Sequence, residues 1–298
     1  SRYWAYSDRE MRTLVDKFHA YDIPLDVLVV DMDWHYTDPG RGGWTGWTWN
    51  KSIFPNPEKF MSQMKDKGLK ITINLHPAEG FDHWEECYPA LAESLGKDPE
   101  GKDRIEWINS DKKFMTNMFD KVMHPMQTEG VDFWWLDWQQ WLDSKYTKGL
   151  SNTFWLNHTF DHHMAEKSNE RPLIYHRWGG LGSHRYQVGF SGDIMINWES
   201  LSFLPWFTST ASNVGYGYWG HDIGGHAFKV RNSQTDPELY LRWLQYGVFS
   251  PINRLHSSNS EFMGKEPWKR SWAVREISER FPKCIYTSSA SFRNKLPQ

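Results

Sequence analysis

Short apolar segments alternate with helical segments along nearly the whole chain, and this alternation restricts the fold more than any other feature. Seven segments have a strand pattern, and a polar residue lies at or near the end of each one. These residues are Asp31, His76, Asp137, Arg177, Asp193, Asp222 and His256. Continuous apolar strands separated by helices predict a parallel sheet covered on both faces. Polar residues at the end of every strand are typical of a barrel, whereas an open sheet concentrates them at one crevice.

The predicted elements have ordinary start and stop signals. Ser7 caps a first helix that ends before Pro24, and Pro57 begins a second helix that stops at Gly68. The predicted strands are 27–34, 70–75, 131–137, 173–177, a short segment ending at Asp193, 215–222 and 248–256. A barrel needs eight strands, and we expect the remaining one to precede residue 1 because SRYWAYS resembles the exit of a strand. The prediction is an α/β fold, a (β/α)8 TIM-type barrel that lacks its first strand in this chain.

Length and charge narrow the class of protein. With 298 residues the chain is near the roughly 250 residues typical of a barrel, so we expect residues 1–298 to form one domain. The net charge of −3 gives no reason to expect nucleic acid or an anionic membrane as a partner. No apolar run reaches the roughly 18 residues of a membrane span, and the polar start SRYWAYSDRE does not resemble a signal peptide. The compartment and the oligomeric state stay open.

Tryptophan is unusually frequent, with 19 residues. Indole rings either fill a core or form flat platforms for the apolar faces of sugars. Trp44, Trp47 and Trp49 lie in the glycine-rich segment GRGGWTGWTWN, which has no strand or helix period. We expect a loop over the active site with exposed indoles that suit a carbohydrate, and simple packing of the loop is an equal alternative.

Two aspartates each end a predicted strand in an aromatic setting, Asp137 in WWLDW and Asp193 in GFSGD. Hydrolysis of a glycosidic bond needs two carboxyl groups, one that attacks or activates and one that donates a proton. An attacking carboxylate must stay ionised, which a nearby arginine favours, whereas a proton donor needs a pKa raised by apolar neighbours such as Phe190. The two acids therefore predict hydrolysis of a glycoside or oligosaccharide without a cofactor.

Five segments in register resemble glycoside hydrolase family 31, and together they cover nearly the whole chain. They are DMDWH, WWLDW, HRWGGLGSHRYQVGFSGD, YWGHDIGG and FSPINRLHS. The resemblance implies a retaining α-glycosidase on a (β/α)8 barrel, with Asp137 as the nucleophile and Asp193 as the general acid/base. Because family members carry β-domains on both sides of the barrel, we expect this chain to be a fragment of a longer multidomain enzyme.

The other candidate residues surround the two acids. The resemblance implies that Asp31 and His256 bind sugar hydroxyls, and it places four more residues around the bound sugar. These are Trp135, Arg177, Phe190 and His226. Asp222 can orient Arg254 or bind the sugar directly. A buried salt-bridge network at the strand ends is the structural alternative for Asp31, Asp222 and Arg177.

Departures from the family pattern concern the identity of the sugar more than the reaction. Trp138, Gln139 and Gln140 follow the nucleophile where many α-glucosidases of the family have Met-Asn-Glu. Phe190 replaces a common Trp, and His226 stands where a Phe is frequent. A terminal α-glucoside is the favoured substrate, with α-galactosides, α-xylosides and α-N-acetylgalactosaminides as alternatives.

Two other classes of protein are alternatives. A metal-dependent hydrolase would use histidine and carboxylate ligands, although no compact spacing such as HExxH is present. The two possible ligand sets are Asp31, Asp33 and His76, and His221, Asp222 and His226. A sugar-binding barrel without activity is the other class, and the presence of both predicted catalytic acids argues against it. Activity in the presence of a chelator tests the first class, and binding without turnover indicates the second.

Overall fold

The computed structural model describes residues 2–38, 43–137, 142–167, 171–177, 180–228, 235–270 and 274–280. Within these ranges the chain forms seven parallel strands in one curled sheet and a separate two-stranded hairpin. The strands are β1 Val27–Val30, β2 Lys70–Leu75, β3 Phe133–Leu136, β4 Asp143–Ser144, β5 Thr147–Ser151, β6 Ile174–His176, β7 Gly189–Phe190, β8 Trp219–Ile223 and β9 Ile252–Leu255.

Helices separate most of the strands. They are α1 Asp8–Ala20, α2 Pro57–Asp66, α3 Tyr88–Leu95, α4 Lys112–Met118, α5 His124–Glu129, α6 Asn152–Lys167, α7 Trp198–Ser212 and α8 Pro237–Gly247. A π-helical turn joins α4 to α5, and residues 274–280 are helical. No helix in the described part of the chain has both the length and the apolar character needed to cross a membrane.

The large sheet has the strand order β1-β2-β3-β6-β7-β8-β9, and every neighbouring pair is parallel. This order confirms the predicted seven-stranded parallel sheet, and the fold is that of a partial (β/α)8 barrel. Because all seven strands run in one direction, the residues that follow them meet at one end of the sheet. The hairpin β4–β5, which the sequence analysis did not predict, follows β3 at that same end.

The first two helices begin and end as predicted. The Ser7 side chain accepts a hydrogen bond from the Glu10 N–H, and the Glu10 carboxylate accepts one from the Ser7 N–H at 2.8 Å. These reciprocal bonds form a capping box, which satisfies amides that have no partner inside the helix. Helix α2 begins at Pro57, and Gly68 lies beyond its end with a φ of +80°. The left-handed conformation explains why glycine occupies this position.

Several strands are shorter than predicted. The predicted strand 27–34 ends at Val30, because the Asp31 carboxylate accepts a hydrogen bond from the Met32 N–H at 2.8 Å and begins a 3-10 turn. The predicted strand 248–256 begins only at Ile252, because the N–H groups of residues 248–250 donate to carbonyls at the end of α8 and Pro251 has no N–H. Both differences arise from local backbone bonding that apolar periodicity does not record.

The glycine-rich loop is mostly buried, which corrects part of the prediction for its tryptophans. Trp47 and Trp49 are each only 4% exposed, whereas Trp44 is 42% exposed. The Trp47 ring stacks on Phe81 with centroids 4.4 Å apart, and its indole N–H donates to a backbone carbonyl. Core packing therefore accounts for two of the three indoles, and only Trp44 presents an accessible ring.

Candidate active site

One arginine joins the two predicted catalytic acids. Leu136 of β3 pairs with His176 of β6, so the residues that follow them, Asp137 and Arg177, lie side by side. Arg177 Nε donates to Asp137 Oδ1 at 2.5 Å, and Arg177 Nη2 donates to Asp193 Oδ1 at 2.9 Å. Two carboxylates that bind neighbouring nitrogens of one rigid guanidinium are held near each other in a defined orientation.

The sequence GFSGD fits this arrangement because Gly192 leaves room for the arginine. Its φ is +71°, and a Cβ at this position would lie 2.8 Å from Arg177 Nη1. Any other residue would therefore be strained and would push the guanidinium away from Asp193. The glycine before the predicted acid/base thus has a packing role in positioning that acid.

Asp137 is buried among hydrogen-bond donors. Besides the bond from Arg177, its Oδ2 accepts from Asn74 Nδ2 at 2.9 Å, and His76 Nε2 lies 3.5 Å from the same oxygen. Donors and a cation around a carboxylate favour its ionised form. Asn74 was not among the site residues predicted from the sequence. Its signal is a polar residue inside the apolar strand KITINL, two positions before His76 and hence on the same face.

Asp193 is more accessible than Asp137. Its side chain is 44% exposed, against 8% for Asp137. Besides Arg177 it has a second nitrogen-bearing neighbour, because His226 Nδ1 lies 3.5 Å from Asp193 Oδ1. Solvent therefore reaches Asp193 more easily than it reaches Asp137.

A second arginine pairs with a carboxylate deeper in the same end of the sheet. Asp222 of β8 and Arg254 of β9 are cross-strand partners, and Arg254 Nη1 donates to Asp222 Oδ1 at 2.7 Å. The guanidinium lies over three rings, with its carbon 4.4 Å from the ring centre of Trp135, 4.9 Å from Tyr175 and 5.0 Å from Phe190. Asp222 therefore orients Arg254, and the buried salt bridge considered above is present for this pair.

Asp31 and His256 face each other beside the acids. Their atoms Oδ2 and Nε2 are 3.9 Å apart, and the His256 ring meets Trp135 edge to face at 5.6 Å. Burial, with a smaller contribution from the charge of Asp137, raises the pKa of Asp31 to about 7, although the hydrogen bond from the Met32 N–H opposes the shift. Burial and nearby Arg254 lower the pKa of His256. At neutral pH this pair offers an uncharged imidazole and a carboxyl group that can either donate or accept a hydrogen bond.

His226 lies between two carboxylates. Its Nδ1 is 3.6 Å from Asp222 Oδ2 as well as 3.5 Å from Asp193 Oδ1, and its ring centre is 5.1 Å from that of His256. Burial lowers the pKa of His226, but the carboxylates of Asp222 and Asp193 outweigh burial and the net shift is upward. His226 therefore links the accessible acid to the buried Asp222–Arg254 pair.

The glycine-rich loop reaches this site through Trp44. The Thr45 hydroxyl donates to the His76 carbonyl, and the Trp44 ring lies 5.4 Å from the His76 ring in an edge-on contact. Buried Glu85 anchors the loop by accepting from the Trp47 N–H at 3.2 Å. The half-exposed Trp44 indole thus lies next to the histidine that contacts Asp137.

Neither metal-ligand set considered from the sequence forms a compact group among the described residues. His221 and Asp222 are consecutive in β8 and point to opposite faces, and the His221 ring lies 5.1 Å from Tyr246. Asp33 accepts instead from the Thr37 hydroxyl at 3.0 Å. The group that the described residues do form is Asp222, His226 and His256. Trp138, Gln139 and Gln140 lie outside the described residues.

Comparison with known proteins points to one family of glycoside hydrolases. The family model described as "Glycosyl hydrolases family 31 TIM-barrel domain" matches residues 1–287. An alpha-xylosidase of Saccharolobus solfataricus is 25% identical over 95% of this chain and 40% of that protein. Human neutral alpha-glucosidase C is 26% identical over 93% of this chain and 33% of that protein.

A solved structure supports the fold. The family 31 dextranase of Flavobacterium johnsoniae in complex with glucose superposes with a TM-score of 0.75 at 21% identity, over 96% of this chain and 38% of that chain. The present chain spans less than half the length of these relatives. The family model nevertheless matches almost all of it, and we conclude that the chain belongs to glycoside hydrolase family 31.

Proposed function

We propose that residues 1–298 are the catalytic barrel of a retaining, exo-acting α-glycosidase that is part of a longer multidomain protein. The observation that carries this proposal is the pair of carboxylates held by Arg177, one buried and one accessible. Retaining glycosidases need two carboxyl groups about 5 to 5.5 Å apart on opposite sides of the scissile bond. Two acids on neighbouring nitrogens of one guanidinium are consistent with this close spacing.

In the proposed reaction Asp137 attacks the anomeric carbon while Asp193 donates a proton to the leaving oxygen. The glycosidic C–O bond breaks, and a covalent bond forms between the sugar and Asp137. Asp193, now a carboxylate, takes a proton from water, and the resulting hydroxide displaces Asp137 from the sugar with overall retention. Donors from Asn74 and Arg177 keep Asp137 ionised, whereas the exposure of Asp193 gives it access to both the leaving group and water.

The terminal sugar would lie against buried polar groups that have unused hydrogen-bonding capacity. Asp31 Oδ2 and Asp222 Oδ2 are buried and have no hydrogen-bond partner among the described residues. His256 is next to Asp31, and the Trp135 ring is in contact with both His256 and Arg254. Sugar hydroxyls satisfy such atoms, and a site that enclosed only the terminal sugar would give exo action.

An α-glucoside is the proposed substrate, with an α-xyloside as the second candidate. The favoured sugar rests on the family resemblance and on relatives named alpha-glucosidase, and the second rests on the relative named alpha-xylosidase. The two sugars differ by one hydroxymethyl group, and a site separates such substrates by about 1 to 3 kcal/mol. A panel of aryl α-glycosides that differ only in the sugar, α-galactoside and α-N-acetylgalactosaminide included, identifies the substrate.

The decisive experiment replaces Asp137 with Ala in the full-length protein. We expect hydrolysis to disappear and to return partly when azide or formate is added, because the small anion occupies the vacated position and attacks from the same face. The rescued product should have inverted anomeric configuration, which NMR of the product measures. Asp120→Ala, at a half-exposed surface position, is the matched control and should keep full activity.

Unassisted activity in Asp137→Ala near the wild-type level would refute the assignment of the nucleophile. Wild-type activity that a chelator abolishes would instead favour a metal-dependent hydrolase. Binding of α-glycosides to the wild-type protein without turnover would indicate a sugar-binding barrel.

A further inference from the structure

Three side chains at the site form a cluster with the composition of a transition-metal site. Asp222, His226 and His256 each offer one ligand atom, and these atoms all lie within 4.8 Å of one another. Two imidazoles and a carboxylate are ligands that Zn²⁺ and its neighbours in the first transition row bind well. The cluster differs from both ligand sets considered from the sequence, because His256 joins from a different strand.

Two of the three ligand atoms have unused hydrogen-bonding capacity. Asp222 Oδ2 and His226 Nδ1 are buried and make no hydrogen bond among the described residues, and Asp222 is 0% exposed. They are 3.6 Å apart, beyond hydrogen-bond distance. Two tetrahedral ligands of Zn²⁺ at ordinary bond lengths lie about 3.3 Å apart, so a small adjustment would place both on one ion.

Charge and orientation around the cluster also favour a divalent cation. The carboxylates of Asp31, Asp137, Asp193 and Asp222 face the guanidinium groups of Arg177 and Arg254 across the same site. Four acidic side chains face two guanidinium groups, so the formal charge of the site is negative and favours a cation. Arg254 binds Asp222 Oδ1 and leaves Oδ2 available.

We propose that Asp222, His226 and His256 form a binding site for Zn²⁺ or a similar divalent transition metal. An ion there would occupy His226 Nδ1, which lies 3.5 Å from Asp193 Oδ1, and would attract that carboxylate too. The metal acts as an inhibitor in this arrangement, because it binds groups that the sugar and the leaving group would otherwise contact. The site depends only on the three ligands and holds even if the proposed hydrolysis is wrong.

Direct binding of Co²⁺ tests the site without any measurement of hydrolysis. The full-length protein, freed of metal by a chelator, is titrated with Co²⁺ while its visible ligand-field bands are recorded. We expect saturation at one ion per chain and displacement by Zn²⁺. His226→Phe, which keeps an aromatic ring but has no ligand atom, should weaken binding roughly 100-fold, since even indirect partners of a metal contribute 10- to 100-fold.

Two further variants keep the test decisive. His162→Phe removes an exposed histidine on α6 that is not part of the cluster. This variant should bind Co²⁺ with the affinity of the wild type. His226→Cys retains a ligand atom, so the Co²⁺ complex should gain a thiolate charge-transfer band that the wild type lacks. Circular dichroism checks that each variant is folded. Absence of saturable Co²⁺ bands in the wild type, or equal affinity in folded His226→Phe, would overturn the proposal.

Discussion

The two arginine–carboxylate centres at the end of the sheet contain the same chemical groups in different surroundings. Arg177 contacts two acids, and Asp193 is 44% exposed. Arg254 contacts Asp222, which is fully buried, and its guanidinium is covered by the rings of Trp135, Tyr175 and Phe190. Asp193 makes the first centre accessible from solvent, whereas the second centre is buried and has only Asp222 Oδ2 available for a ligand.

Because of this difference, we expect a substitution in one centre to affect stability and a substitution in the other to affect the reaction. Removing one partner of a buried pair leaves an unpaired charge in a medium of low polarity, which destabilises the fold. Loss of an accessible group is compensated by water, so its cost falls on the reaction instead. We therefore expect substitutions in the Arg177 centre to lower mainly the rate of hydrolysis. Substitutions in the Arg254 centre should lower mainly the free energy of unfolding.

The largest expected effect is on the reaction, through Asp193→Ala. A general acid contributes about 10²- to 10⁴-fold, and only when the leaving group needs a proton. The variant should therefore lose that factor on alkyl glycosides and much less on activated aryl glycosides, as measured by kcat/KM on both series. Asp222→Asn, in the buried centre, should lower both series by the same factor. Equal losses for Asp193→Ala on both series would contradict its role as proton donor.

The next effect is on the free energy of unfolding, which we expect to differ between substitutions of the two arginines. Arg254→Met should lower the free energy of unfolding by about 3–5 kcal/mol, because it leaves buried Asp222 without its partner. Arg177→Met should cost less, since Asn74 still binds Asp137 and water reaches Asp193. Urea denaturation of both variants makes the comparison. If Arg177→Met costs as much as Arg254→Met, the distinction drawn here between the centres is wrong.

A third effect, smaller for each pH unit than the loss of Arg254, concerns buried Asp31, which lies close to both centres. Its pKa is 3.8 in the unfolded reference and about 7 in the folded protein. Between these values the folded state binds more protons, so the stability of the wild type falls as pH rises, by at most about 1.4 kcal/mol per pH unit. Asp31→Asn stays neutral and should not show this loss. Its free energy of unfolding relative to the wild type should therefore increase from pH 4 to 7, and parallel profiles would contradict the shift.

The smallest effect tests the loop beside the accessible centre. Trp44→Ala should raise KM about 2- to 10-fold and leave the melting temperature almost unchanged, because an aromatic platform contributes about 0.5–1.5 kcal/mol and this ring is half exposed. Trp206→Ala, which removes an exposed indole on α7, is the control and should change neither quantity. A large loss of stability in Trp44→Ala would mean that the indole serves packing.

The parallel sheet and the acids at its end could be predicted from the sequence. Apolar segments of strand length that alternate with capped helices have few other solutions, and the confirmed strand β2 matches its prediction residue for residue. Asp137, Arg177 and Asp193 follow successive strands of such a sheet, so their meeting at one end is a consequence of topology. The five segments that resemble the family made this expectation specific.

The partners of each polar side chain were decided only by the tertiary structure. A strand pattern specifies which face a residue occupies, but the choice between Asp137, Asp193 and Asp222 as partner of an arginine depends on register and on distances of a few ångströms. For this reason the contact of Asn74 with Asp137 could not be predicted from the sequence. The same holds for the cluster of Asp222 and His226, whose third member is His256 and not His221. The burial of Trp47 and Trp49 likewise followed from rings distant in sequence. The spacing of apolar residues along the chain determined the sheet and the end of it at which the polar residues meet. The contacts that set the charge and exposure of each side chain arose from packing between residues distant in sequence.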